Sequence, residues 1–361
     1  MSLTERVVKQ EIKNLLRIED TMDDRYDYLR LDKNERLLPF NPTKFQNFLL
    51  QLKDDDITGY YELGDTYRKL ARFLNVEKDQ IFLAHGSDLA IKSIFETCIG
   101  SGDHLVLHAP SYAMYRVYSK MFNATNTIVD IKDDLTVDIE KMMSSVQENT
   151  KMFVIENPNG FVGNKPTIAQ LEYCASELNK KDIVFVIDEA YVYVENDKSE
   201  TVELIKKYPN IIITQTFSKA HGLAGLRVGF LVGSKEMIQY ISRVRPMHEI
   251  ASISAIATLW MLENPDLLTE FHVSIQESKA YLRTELTKLD ILYKETHTNF
   301  MLFYFPDEGR TKEMQNKLKE HKILIRRPFG ESYLKGWSRV CIGSLSDSQR
   351  LITALQSILK K

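Results

Sequence analysis

The sequence predicts an α/β fold: a large domain built on a mostly parallel, doubly wound sheet, joined to a smaller α+β domain. Three observations carry this. Short apolar runs alternate with longer helical patterns from about residue 80 to 235. Those runs are mostly continuous, not alternating, as in strands covered on both faces. After residue 250 the rhythm changes to long helices followed by short strands. A chain of 361 residues is also too long for one small module, since domains settle at roughly 100–200 residues.

In chain order, strands are expected at 81–84, 104–108, 152–156, 183–188, 211–216 and 228–232. Helices fall between them at 88–98, 167–179 and 202–207, the alternation of a parallel sheet. A helical stretch then runs from 251 to 289, interrupted near Asn264-Pro265, where proline lacks the N–H a helix needs. Strands at 300–303, 323–326 and 339–342 and helices at 311–321 and 348–359 make a compact tail. The first 45 residues read as a charged helix and an extended segment. The expected division is therefore an N-terminal arm, 1–45, packing on the small domain; a large domain, 46–250; and a small domain, 251–361.

Lys and Arg total 47 against 50 Asp and Glu, a formal charge of −3. That balance argues against a nucleic-acid binder but leaves room for a local basic pocket. Cys98, Cys174 and Cys341 are far apart and lack CxxC spacing. Neither a disulfide framework nor a zinc knot is expected, and a reducing compartment fits. Residues 1–13 lack the apolar centre of a signal peptide. No run approaches the roughly 20 apolar residues that cross a bilayer. The expectation is a cytoplasmic protein with no membrane partner.

Ligands of open α/β sheets sit beyond the carboxyl ends of the strands, and four polar clusters fall there. His85-Gly86-Ser87-Asp88 opens a helix, where free N–H groups favour a phosphate. Ordinary capping by Ser87 or Asp88 explains the same residues. Asn157-Pro158-Asn159-Gly160 has plain turn composition. Asp188-Glu189-Ala190-Tyr191 ends the strongest strand, and a carboxylate there is costly to bury unpaired. An ion pair or a metal ligand are alternatives, although no ligand constellation accompanies it and no metal is expected. The fourth cluster runs Thr216-Phe217-Ser218-Lys219-Ala220-His221-Gly222-Leu223-Ala224-Gly225-Leu226-Arg227. A lysine at a strand end among small residues can be desolvated and act as a Schiff-base amine. Arg227 can return as a phosphate clamp, with Thr216 and Ser218 adding hydrogen bonds. A solvated loop and a Ser218–Lys219 hydrolytic dyad compete with that reading; adjacent residues seldom point into one site.

In order, GSD, SY, NPN, DEAY and SKAHGLAGLR resemble the fold-type I enzymes that use pyridoxal 5'-phosphate, within the histidinol-phosphate aminotransferase-like branch. The likeness runs from Leu31-Asp32-Lys33-Asn34-Glu35 to Arg339-Val340-Cys341-Ile342-Gly343. It implies an aminotransferase moving an amino group from an amino acid, glutamate, to a small acidic or phosphorylated oxo acceptor. A decarboxylase of a phosphorylated amino acid is the alternative; a non-catalytic regulator is disfavoured by the filled cofactor positions. By resemblance, Lys219 is the Schiff-base lysine and proton-moving base, and Asp188 partners the ring nitrogen. Tyr191 bonds the ring's phenolic oxygen, Tyr112 stacks on the ring, and Gly86, Ser87, Asp88, Thr216, Ser218 and Arg227 surround the cofactor and its phosphate. Tyr60 resembles the tyrosine that reaches a neighbouring subunit's cofactor phosphate, which implies a homodimer.

Three segments depart from the family pattern. NPNNPTG reads Asn157-Pro158-Asn159-Gly160-Phe161-Val162-Gly163. The asparagine that usually touches the phenolic oxygen is therefore Asn159, or is missing because Gly160 holds its slot. NENPY reads Asn34-Glu35-Arg36-Leu37-Leu38, which adds a cation, and Arg327 follows the expected Arg326. Arg339 matches the family's carboxylate-binding arginine. Asn34, Arg36, Arg326 and Arg339 are thus the expected substrate contacts, and the departures point away from histidinol phosphate to another small acidic amine or ketone.

Overall fold

The computed structural model describes residues 2–13, 15 and 24–359, so part of the expected N-terminal helix lies outside the described residues. A short strand, β1 (Leu29–Leu31), opens the chain's sheet structure. Next come β2 (Ile81–His85), β3 (His104–Ala109), β4 (Thr125–Asp130), β5 (Thr150–Glu156), β6 (Val184–Asp188), β7 (Ile211–Thr216) and β8 (Val228–Gly233). These form one sheet in the order β2-β8-β7-β6-β5-β3-β4. Neighbours from β7 to β4 run parallel, whereas β8 is antiparallel to both β7 and β2.

The two faces of this sheet build two cores. Phe153, Phe185 and Ile213 pack on one side; Val154, Val186 and Ile212 pack on the other. Alternate residues point to opposite faces, so burying both requires the unbroken apolar runs seen in the sequence. Each such side chain contributes about 1.5–3 kcal/mol on burial. The crossover helix Ile168–Asn179 starts at a capping box, with Thr167 Oγ1 accepting from Gln170 N (3.2 Å) and Gln170 Oε1 accepting from Thr167 N (2.9 Å).

The C-terminal part contains helices Ser252–Glu263 and Asp266–Lys288, split at Pro265. Strands β9 (Tyr293–Lys294), β10 (Phe300–Tyr304), β11 (Ile323–Ile325) and β12 (Trp337–Cys341) follow. The order β12-β10-β9 makes an antiparallel sheet, while β11 pairs in parallel with β1. Residues from the two chain ends thus meet, but the short helix Gln10–Lys13 lies against helix Ala113–Met121 of the central part. The expected helix at 202–207 is a 3-10 helix, Thr201–Lys206. Strand β4 escaped the sequence reading. It is an edge strand with only Val129 buried, so it carries no continuous apolar run.

Candidate active site

A cavity of about 1040 Å³ opens at the carboxyl ends of the parallel strands. Its lining brings together Ser87, Asp88, Tyr112, Asp188, Tyr191, Thr216, Ser218, Lys219, Arg227, Arg326 and Arg339, which lie far apart in sequence.

One end is shaped for an anion. Helix Gly86–Cys98 begins as β2 ends, so its free N–H groups face the cavity. Gly86 has φ +79°, and a Cβ there would lie 2.5 Å from Arg227 Nη2. A Cβ on Gly229 would lie 2.2 Å from Ser87 N. The backbone contact requires glycine at 229, and the positive φ favours it at 86. Arg227 itself takes the left-handed region at φ 52°, which costs a non-glycine residue about 1–2 kcal/mol. Its Nη1 donates to Ala224 O (3.1 Å) and Ser218 Oγ (3.4 Å), and its Nη2 stands 3.7 Å from Asp88 Oδ2. Thr216 Oγ1 accepts from Ser218 N (3.1 Å). Hydroxyls, an arginine and a helix start thus converge on one spot, the donor set a phosphate needs.

The floor is acidic. Asp188 ends β6 and is buried; Tyr115 donates to its Oδ2 (2.9 Å) and Ala190 N to its Oδ1 (3.1 Å). Burial pushes its carboxyl up to about 6. Next to it in the sheet register stands Glu156, also buried and pushed up to about 8 by burial and then by Asp188. Lys219 follows β7; its Nζ reaches Lys33 O (3.3 Å) and lies 5.4 Å from the Tyr191 ring centre. Tyr191 accepts from Asn34 Nδ2 (2.9 Å), with Asn34 buried at φ 55°. The Tyr112 hydroxyl donates to Asp88.

The opposite wall is cationic. Arg339 is buried, donating from Nη1 to Gly160 O (2.7 Å) and from Nη2 to Asp32 O (3.1 Å). Arg326 stacks on Phe161 (4.8 Å) and Phe329 (5.1 Å). Burial and then Arg339 and Arg327 bring its guanidinium down to about 10. Arg326 Nε, Arg339 Nε and Ser111 Oγ are buried without a partner among the described residues.

Of the expected site residues, Asn34, buried against Tyr191, and Gly86 do not line the cavity, and Arg36, Asn159 and Tyr60 sit elsewhere. Arg36 does not line the cavity: it donates to the carbonyls of Ala220 (3.0 Å), Leu267 (3.0 Å) and Leu38 (3.3 Å) and packs on Phe40 and Phe271. Its substrate role gives way to a structural one. Asn159 is fully buried and its amide holds the turn, bonding Pro110 O, Phe161 N and Val162 N; Gly160 lines the cavity in its place. Tyr60 is 83% exposed and stacks on His248, outside its own chain's cavity. Tyr115 and Glu156 were missed in the sequence. Glu156 shows the same signal that marked Asp188, an acid closing a buried strand; Tyr115 gives no signal short of the fold.

A pyridoxal phosphate fits this donor set. The phosphate would lie at Ser87, Thr216, Ser218 and Arg227, the ring nitrogen at Asp188, and the aldehyde within reach of Lys219. Comparison with known proteins agrees. A histidinol-phosphate aminotransferase of Clostridium botulinum is 28% identical over 340 residues, 92% of either chain. The structure of the Sinorhizobium meliloti histidinol-phosphate aminotransferase in complex with pyridoxal-5'-phosphate superposes with a TM-score of 0.89 at 21% identity, covering 98% of both chains. That of a Porphyromonas gingivalis L-threonine-O-3-phosphate decarboxylase gives 0.75 at 20% identity, covering 92% of this chain and 100% of that one. The sequence profile of the aminotransferase class I and II family matches residues 30–356. The chain belongs to that family, with the fold-type I architecture and a dependence on pyridoxal phosphate.

Proposed function

We propose that this transaminase takes the amino group of glutamate and gives it to a small oxo acceptor bearing a second anionic group, a carboxylate or phosphate. The observation that carries this is the pair Arg326–Arg339, which line one cavity together with no carboxylate hydrogen-bonded to either among the described residues. One arginine fork is enough for a single carboxylate; two facing one cavity suit a substrate with two anionic ends.

Pyridoxal phosphate supplies, when bound, a ring that accepts the electron pair left as a bond to the substrate's Cα breaks. The chain does the rest. Lys219 Nζ would anchor the cofactor and, when free, would serve as the base that holds the proton from Cα. Asp188, oriented by Tyr115 and Ala190 N, keeps the ring nitrogen protonated. Ser87, Thr216, Ser218 and Arg227 bind the phosphate, and Tyr112 walls the ring. Tyr191, held by Asn34, donates to the phenolic oxygen. Arg339 binds the substrate carboxylate, and Arg326 takes the distal group.

The same reading makes the enzyme a cytoplasmic homodimer that shares its sites. Tyr60, 83% exposed, and Met247, 90% exposed, belong to a partly apolar patch that a second copy would cover, carrying Tyr60 to its partner's phosphate cup. Among the described residues no helix is long and apolar enough to cross a membrane.

The test is a two-substrate panel with glutamate as donor against acidic and phosphorylated ketones, with carbon dioxide followed in parallel. Amino transfer to a dianionic ketone is expected, and Arg339→Lys should raise the donor KM and lower kcat/KM by about 1.5–3 kcal/mol of transition-state binding. Carbon dioxide release without amino transfer would turn the assignment to a decarboxylase of a phosphorylated amino acid.

A further inference from the structure

Glu156 belongs to none of the roles above, yet it lines the cavity while only 3% exposed. Both its oxygens are occupied by backbone donors: Oε1 accepts from Tyr112 N and Oε2 from Gly160 N (2.8 Å). Its own N–H donates to His108 Nε2 (3.2 Å), while His108 Nδ1 faces Pro110 O (3.0 Å). That arrangement suits the neutral ring, and burial brings His108 down to about 4. Among the described residues no cation pairs with the carboxyl; its two N–H bonds and Arg339 favour the charged form, but burial and Asp188 outweigh them. Arg339 faces it but gives its terminal nitrogens to the carbonyls of Gly160 and Asp32. Tyr115 and Tyr112, from the helix side, are neutral phenols whose ionisation is pushed up by burial. Asp188, from β6, is a second carboxyl that repels a charge on Glu156. Two such neighbours do not both ionise readily.

A protonated carboxyl whose two oxygens both accept N–H bonds still has one hydrogen to donate. The direction it faces is marked by Gly160. A Cβ built on Gly160 would lie 3.5 Å from Glu156 Oε2 and 3.0 Å from Tyr191 Cε2, so the carboxyl borders the space that a side chain at 160 would enter, beside Tyr191. Pyridoxal phosphate carries its phosphate arm and its phenolic oxygen on the two flanks of the carbon that a lysine engages. With the phosphate arm at Ser87 and Arg227, the phenolic oxygen would fall on the other flank, toward Tyr191, Gly160 and Glu156, which line the same cavity.

We propose that Glu156 is a cofactor-contacting acid that, in its neutral form, donates a hydrogen bond to the cofactor's phenolic oxygen from the space left by the glycine at 160. This rests on the cofactor placement proposed above. A neutral donor stabilises negative charge on the phenolic oxygen, which then holds the proton of the lysine–cofactor imine less tightly. The imine pKa is therefore lowered by Glu156 in the resting enzyme. An ionised Glu156 would act with the opposite sign, its charge favouring the protonated imine.

The test is a spectrophotometric pH titration of the imine in the loaded enzyme, together with cofactor affinity measured by fluorescence on the cofactor-free protein. Glu156→Ala, and Glu156→Met in case the smaller side chain prevents folding, should raise the imine pKa by about one pH unit and weaken pyridoxal phosphate binding about tenfold, the scale of one hydrogen bond. Glu156→Gln keeps a hydrogen to donate but turns an NH2 toward one of the two backbone N–H groups, so its imine pKa should lie between those of the wild type and Glu156→Ala. A lowered or unchanged imine pKa in both Glu156→Ala and Glu156→Met overturns the proposal. Borohydride reduction and peptide mapping of the wild type separate the two levels. A wild type labelled at Lys219 leaves the functional reading standing whatever Glu156 does, whereas label elsewhere removes that reading and this one together.

Discussion

Asp188 and Glu156 end adjacent strands with their carboxyls buried, and the cofactor-free protein pays for this in a pH-dependent way. Both groups are raised in the folded chain, to about 6 and about 8, above the values they hold when unfolded. The folded state therefore binds more protons, and their contribution to stability is fully present below about pH 4. It is lost as the pH rises through 6 and then 8. Thermal unfolding of the cofactor-free enzyme should show a falling Tm between pH 5 and 8, flattened in the Asp188→Asn, Glu156→Gln double variant; an equal slope in both would remove these groups as the cause. Asp188→Asn alone should keep most of the cofactor, because the phosphate cup is built from other residues. It should lose on the order of 10²–10³ in kcat, the usual cost of removing one oriented electrostatic group; near wild-type turnover would take Asp188 out of the proposed role. The sequence made Asp188 and Lys219 visible because each ends or follows an apolar strand. Tyr115 stayed invisible, since nothing about a tyrosine on a helix announces that its hydroxyl meets a carboxylate on β6.

At the level of elements, the strands of the central sheet that the sequence reveals are those buried on both faces, β2, β3 and β5 to β8, because only they must be continuously apolar; β10, β11 and β12 of the tail are also legible. β4, on the edge, and β1 and β9, too short to show a pattern, stay hidden. Arg36 stands apart from its expected place. A cation beside a substrate motif suggests a ligand contact, but here it fastens the segment after β1 to the loop after Lys219 and to helix Asp266–Lys288. Arg36→Ala would take the side-chain donor from Ala220 O, while Leu267 O keeps its helical partner, a loss of about 1–3 kcal/mol. Denaturant unfolding should register a destabilisation of that order, with donor and acceptor KM moving little and together. A selective rise in the acceptor KM would restore Arg36 to the substrate site.

For the whole molecule, the exposed Tyr60 makes the dimer testable without a structure of the complex. A Tyr60→Ala chain should bind pyridoxal phosphate about tenfold more weakly, and a Lys219→Ala chain should be inactive. Refolded together, the two should regain activity, because one site of the mixed dimer then holds an intact Lys219 and a Tyr60 from its neighbour. Activity no higher than that of the separate preparations would remove the shared site. The pairing of Leu29 with Ile323 between β1 and β11 adds a consequence in time. A ribosome releases β2 to β8 as one contiguous stretch, so the central sheet can assemble while the tail is still being made. β1 must wait for β11, and with it Asp32 and Lys33, which wall the cavity. Contacts so distant along the chain are entropically late. The cavity is thus closed on that side among the last events of folding, and until then a cofactor can reach Lys219 from the side that the finished arm covers.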